Sequence, residues 1–257
     1  MAYETLIVAT EESFGLITLN RPPANAISEP LMRELNAALS SFEGDDAVRS
    51  VIITGSGDRI FCAGADLGSA FAGGDVESFV RFGTRVVRRI ERFAKPVIAA
   101  MNGHALGGGC EIAMACHFRL LKDGARMGQT ESSLGIIPGY GGTQRLPRLI
   151  GRTKALEFLI LGTQIPAPEC LALGLVNRLC KDGETLAEAK ALARQLATRA
   201  PVATRLIIEA VDEGLEAPIE RALDIEVRAF LKSLRTEDAA EGIQAFFAKR
   251  EPDFKGR

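Results

Sequence analysis

Three consecutive glycines, Gly107-Gly108-Gly109, stand between two apolar segments of different character. The segment before them, Pro96 to Met101, is a short apolar run of the kind that forms a buried strand. Asn102-Gly103 breaks that strand. The segment after them, Cys110-Glu111-Ile112-Ala113-Met114-Ala115, favours helix. The glycines are therefore expected at a helix N-terminus, where they let the backbone bend and approach a ligand closely. Free N–H groups and the helix dipole make such a terminus a site for negative charge. Glu111 falls in that first turn. A second carboxylate, Glu131, follows in the loop-like stretch Gly128 to Ser133.

The rest of the first two thirds alternates strand and helix patterns. Strands are expected at Leu6 to Val8, Phe14 to Leu19 and Val48 to Thr54. Ser28 is placed to cap a helix running to about Phe42, with Pro30 tolerated in its first turn. A second helix is expected from about Val76 to Phe93. This alternation predicts an α/β fold with crossover units. The last third reads as helix: Thr153 to Leu161, Pro168 to Leu173, Pro201 to Gly214 and Ile219 to Leu231, with a short strand at Val176 to Leu179. Thr185 with Glu188 forms a capping box for a helix to about Arg199, and Thr236 caps a last one to about Lys249. The apolar faces of this tail suit packing on the body or on a neighbouring subunit. The division expected is 1–200 for the core and 201–257 for the helical region.

Composition narrows the function classes. In 257 residues, 47% are hydrophobic, enough for a substantial core. A net charge of −2, with no stripe dense in Lys and Arg, argues against nucleic acid as a partner. Five cysteines with no CxxC pair point to free thiols in a reducing compartment. No run of 18 apolar residues predicts a membrane span, and the N-terminal residues do not read as a secretory signal. A cytoplasmic protein is expected.

Gly64-Ala65 and Gly107-Gly108 are two glycine-containing turns, each after a buried strand. Two backbone N–H groups converging on one oxygen form an oxyanion hole, and two carboxylates beside it suit proton transfer at carbon or the positioning of a water. Glycine loops after strands are common, however, and a glutamate in a helix's first turn is often only a favourable dipole contact. Spacing alone favours that plainer account.

The longer motifs change the balance. FCAGADL (Phe61 to Leu67), NGHALGGGCE (Asn102 to Glu111) and GIIPGYGGTQRLPRLIG (Gly135 to Gly151) resemble signature segments of the enoyl-CoA hydratase/isomerase, or crotonase, superfamily. LNRPPANAIS (Leu19 to Ser28), LALGLVNRL (Leu171 to Leu179) and FFAKREPDFKGR (Phe246 to Arg257) are similar too, so the resemblance spans essentially the whole chain in order. It implies a spiral of ββα turns with a C-terminal helical region, trimers or pairs of trimers, and an acyl-CoA thioester substrate. It implies no metal or redox cofactor, CoA being part of the substrate. By resemblance Ala65 and Gly108 are the oxyanion-hole donors, and Glu111 and Glu131 the paired glutamates of the hydratases, twenty residues apart (131 minus 111). Ala24, Ala26, Ala63, Asp66, Leu67 and Gly107 belong to the segments that line the CoA moiety. Asp66 is expected to order its loop, with no part in proton transfer. Having both glutamates favours hydration of a 2-enoyl-CoA. An isomerase or another acyl-CoA lyase of the same fold, and a non-catalytic or RNA-binding relative, are the alternatives.

Three departures from the family pattern stand out. Thr130 replaces the proline common before the second glutamate, His104 stands where many relatives carry Tyr, Ala or Val, and Gly68 takes a position where a basic residue is frequent. His104 and His117 read as structural residues, and the cysteines as small buried hydrophobes.

Overall fold

The computed structural model describes residues 3–66, 68 and 75–257. Leu67 and the stretch 69–74 lie outside the described residues. The chain winds as a spiral. Strands β1 (Leu6–Glu11), β2 (Phe14–Leu19), β3 (Ser50–Gly55), β5 (Val97–Met101), β7 (Phe118–Lys122) and β10 (Arg178–Cys180) build one sheet in that spatial order. Strands β4 (Ile60–Cys62), β6 (His104–Leu106), β8 (Arg126–Gly128) and β9 (Gln164–Pro166) build a second, smaller one. From β3 onward, successive turns each contribute a strand to the large sheet (β3, β5, β7), a short strand to the small sheet (β4, β6, β8), and then helical backbone. The β1–β2 and β8–β9 pairs are antiparallel, and the remaining pairs are parallel.

The expected α/β alternation follows from the residues. All of β3 and β5 is buried, as unbroken apolar runs in parallel strands require. Helix α1 (Glu29–Glu43) starts where Ser28 Oγ accepts from Leu31 N, and it buries Leu31, Met32, Leu35, Ala38, Leu39 and Phe42. Helix α2 (Val76–Glu91) starts at Asp75, whose carboxylate accepts from Ser78 N. Helix α3 (Gly108–Ala115) begins at the glycine run, and every residue in it is buried. A 3₁₀ turn (Glu131–Leu134) leads to α4 (Gly142–Ile150), α5 (Arg152–Leu161), α6 (Ala167–Ala172) and α7 (Thr185–Ala197).

Two expectations change. The capping box at Thr185 does not form: Glu184 takes the cap position, Thr185 is the first helical residue, and its side chain is turned into the interior at 2% exposure. The turn closed by Glu184 N on Lys181 O starts the helix one residue earlier than the box requires. The small sheet was not expected, because three-residue strands are too short to display a period.

The tail is helical as expected: α8 (Pro201–Leu215), α9 (Ile219–Ser233) and α10 (Glu237–Ala248), the last capped by Thr236 through Ala239 N. The terminal residues fold back, with Lys255 N and Gly256 N donating to the buried Asp238 carboxylate. Helices α8 and α9 leave Ile207, Val211, Leu215, Ile219, Leu223, Val227 and Phe230 about half exposed or more.

Candidate active site

The site forms where the two glycine turns meet. The Ala24–Ile27 strip is laced to the strip after β4: Ala63 N donates to Ala24 O, Ile27 N to Gly64 O, and Asp66 N to Ile27 O. Ile27 thus bonds residues 64 and 66, so the N–H of Ala65 faces the opposite way. Gly64 has φ +100° and Gly107 φ +50°, conformations that glycine adopts without strain. These bends bring the turns into contact: a Cβ placed on Gly64 would lie 3.4 Å from the nitrogen of Gly108. Gly108 N–H is one of the orphan donors at the first turn of α3. Among the described residues neither Ala65 N nor Gly108 N meets a protein acceptor.

Both carboxylates reach this place. Glu111, one turn into α3, is 1% exposed. Its Oε1 accepts from Tyr140 N and from Gly142 N, each at 2.7 Å. Among the described residues its Oε2 has no protein donor and is free for a ligand. Glu131 opens the 3₁₀ turn, and its Oε1 lies 2.9 Å from where a Cβ on Gly107 would stand. The carboxamide of the buried Gln129 is 3.2 Å from both Glu131 oxygens, in the orientation that lets its nitrogen donate. Ala63, Ala65, Gly107, Gly108, Glu111 and Glu131 all line one cavity of about 850 Å³, walled further by Phe79, Ile136, Ile137 and Tyr140.

Ala24 and Ala26 are half-buried beside the cavity, and they support its wall through backbone. Asp66 pairs with Arg21 at 3.0 Å, and Arg21 also donates to Ala26 O, so the loop is ordered through an ion pair as well as through its backbone. Leu67 lies outside the described residues. His104 accepts from Arg126 N through Nδ1, a structural role away from the cavity. His117 Nδ1 likewise accepts from Val97 N. All five cysteines are buried free thiols. Three site residues carried no individual expectation: Gln129, and Tyr140 and Gly142, which hold Glu111 through backbone N–H groups. Gly141-Gly142, preceding a helix as the run at 107–109 does, marks a turn in the sequence but not the carboxylate that its N–H groups hold.

Burial is the largest influence on Glu111 and pushes its carboxyl up to about 7. The bond from Gly142 N opposes this, the nearby Glu131 adds to it, and the Tyr140 N bond and Arg145 oppose it. Glu131 is raised as well, chiefly by burial. Two carboxyls that sense each other titrate as a pair. A stability consequence follows for Glu111. Unfolded, it ionises near 4.5; folded, near 7. Between those values the native state binds more protons, so its stability falls as pH rises through the window, by an amount on the order of 3 kcal/mol. Glu111→Gln keeps an oxygen for both N–H donors and removes the buried charge. Its melting temperature is expected to exceed that of the parent by several degrees at pH 8, with the gap closed near pH 4.5. Thermal melts across this range, showing no pH-dependent gap, would refute the assignment of a strained buried carboxylate.

Comparison with known proteins identifies the lineage. The family model for enoyl-CoA hydratase/isomerase matches residues 9–257. The chain belongs to the enoyl-CoA hydratase/isomerase family. Within the family it is 43% identical over 257 residues to a crotonyl-CoA hydratase of Syntrophomonas wolfei, covering 99% of each chain. It is 41% identical over 261 residues to a short-chain-enoyl-CoA hydratase of Clostridium acetobutylicum, covering both chains fully. A crystal structure of an enoyl-CoA hydratase from Bacillus anthracis superposes with a TM-score of 0.95 at 38% identity, over 99% of this chain and 100% of that one. The family's fold, a spiral of ββα turns followed by helices, is the fold found here.

Proposed function

We propose that this chain is an enoyl-CoA hydratase, adding water to a 2-enoyl-CoA thioester to give a 3-hydroxyacyl-CoA. One observation carries the reading: two carboxylates, the buried Glu111 and the half-buried Glu131, border the same cavity as the N–H groups of Ala65 and Gly108, which meet no acceptor among the described residues. As water adds to C3, negative charge builds on the thioester oxygen, and the two N–H groups stabilise it. The open oxygen of Glu111 holds the water and takes its proton. Glu131, whose carboxyl burial raises, delivers a proton to C2. The proton gained by one glutamate then replaces the one lost by the other, so the pair returns to its starting state. The chemistry calls for no metal or redox cofactor, and CoA enters with the substrate along the strip formed by residues 24–27 and 63–66.

The test is a panel of 2-enoyl-CoA thioesters of increasing chain length, followed by loss of the enoyl-thioester absorbance and identification of the product. Formation of 3-hydroxyacyl-CoA supports the reading. Double-bond migration without hydration would replace it with an isomerase.

The reading extends to assembly and location. The residues from 201 onward act as a packing region, and the apolar faces on α8 and α9 are covered by subunits of a homotrimer, or of a hexamer built from two. Light scattering is expected to return a mass three or six times that of the chain. A stable monomer with full activity would overturn this. No helix among the described residues is long and apolar enough to cross a membrane. The reading places the enzyme in the cytoplasm, without nucleic-acid partners.

A further inference from the structure

Arg145 is 9% exposed and has no direct access to the reacting atoms. Its guanidinium is bonded on two sides. Nη1 donates to Tyr140 O at 2.7 Å, and Nε and Nη2 donate to Glu91 Oε1 and Oε2 at 3.1 and 2.9 Å. The same residue 140 whose carbonyl Arg145 holds donates its N–H to Glu111. Gly141 has no side chain, and a Cβ there would run into the guanidinium. Glu91 is the last residue of α2 and is itself held by Arg88 at 2.6 Å. A series of bonds therefore runs from the end of α2 through Glu91, Arg145 and the backbone of Tyr140, by its carbonyl on one side and its N–H on the other, to the carboxylate of Glu111.

We propose that the Glu91–Arg145 pair is a positioning clamp for Glu111: it fixes the turn at 140–142 so that two N–H groups hold one carboxylate oxygen and leave the other free for the attacking water. A fork of parallel N–H donors is what this geometry demands. An ammonium supplies charge but cannot span Glu91 and the Tyr140 carbonyl with the same directions. Arg145 acts through the turn and is a positioning residue. The groups facing Glu111 are Glu131 from the 3₁₀ turn, Cys110 from its own helix, and Tyr140 and Arg145 from the turn and α4, with Glu91 behind Arg145.

The kinetic arm of the test rests on the hydratase reading, and the spectroscopic arm does not. Arg145→Lys and Glu91→Asp, which keep each charge and change only its reach or shape, are made in the full chain, with melts to confirm folding. In the spectroscopic arm, the Glu111 carboxyl band is followed by infrared difference titration and assigned by its loss in Glu111→Gln. With the clamp loosened, the midpoint is expected to move to higher pH in both variants, because the N–H groups that favour the carboxylate are no longer held. In the kinetic arm, kcat for hydration is expected to fall at least about tenfold in Arg145→Lys while KM stays within about threefold, the mark of a misplaced group and not of lost binding. A folded Arg145→Lys with parental kcat and parental midpoint overturns the clamp. Moved midpoints in a protein that hydrates no enoyl-CoA would uphold the clamp and sink the hydratase reading. Should Arg145→Lys fail to fold, Glu91→Asp alone decides: a midpoint moved to higher pH upholds the clamp, and a parental midpoint overturns it.

Discussion

Glu111→Gln and Glu131→Gln are each expected to lower kcat for water addition to a short 2-enoyl-CoA by at least about 10², and the double variant to lose little beyond the worse single one. Glutamine keeps the shape of glutamate and can still accept the N–H groups of Tyr140 and Gly142, but it cannot take up and return a proton. At residue 131 the neighbour is Gln129, whose carboxamide faces both carboxylate oxygens. A glutamine there can still pair with it, so the local structure is kept while the acid is lost. Because one proton passes out through one glutamate and in through the other, removing either stops the cycle. Removing both stops the same cycle, hence the lack of additivity. Stability separates this outcome from unfolding, since Glu111→Gln is expected to be more stable than the parent at pH 8 while inactive. That combination is what a strained catalytic carboxylate gives. If Glu111→Gln hydrated at the parental rate while Glu131→Gln was dead, a single proton shuttle would be at work and the isomerase reading would take over.

The parts of this site carried by side-chain type and glycine runs were legible in the sequence. Gly107-Gly108-Gly109 followed by helix-forming residues located the start of α3, and Ser28 and Thr236 located two more helix starts through hydroxyls that do cap. The failure at Thr185 shows the limit of the same rule, because the hydroxyl there was drawn inside by the packing of α7. What secures Glu111 was not legible. The donors are the backbone N–H groups of Tyr140 and Gly142, 29 and 31 residues on, and a backbone amide has no letter of its own. The Arg145–Glu91 pair joins positions 54 apart, and charge alone does not say which carboxylate an arginine will meet. The small sheet escaped for a third reason: its strands are held by register with their neighbours in the spiral, not by any period within themselves.

Gly108→Val is expected to abolish turnover, with a loss of at least about 10² to 10³ in kcat, while the chain still folds. The sequence suggested that Gly108 needs either an unusual backbone conformation or close approach, and the geometry favours the second. The positive φ belongs to its neighbours Gly107 and Gly64. At Gly108 a Cβ would stand 2.7 Å from Ile27 Cδ1 and 3.2 Å from the ring of Tyr140. Ile27 is fully buried and bonded to Gly64 and Asp66 on either side of Ala65, so pushing it displaces the other oxyanion donor as well. Tyr140 carries one of the N–H groups on Glu111, so pushing it disturbs the carboxylate. One added side chain therefore strains both halves of the site. Overpacking of this kind typically costs about 1–3 kcal/mol, which a domain of this size can absorb. Even a displacement of about 1 Å at the donors costs on the order of 10² in rate. The measurements are kcat on a short 2-enoyl-CoA and a thermal melt of the same preparation. A variant that melts cooperatively and turns over near the parental rate would show that Gly108 does not lie against the thioester, and the oxyanion assignment would fall with it.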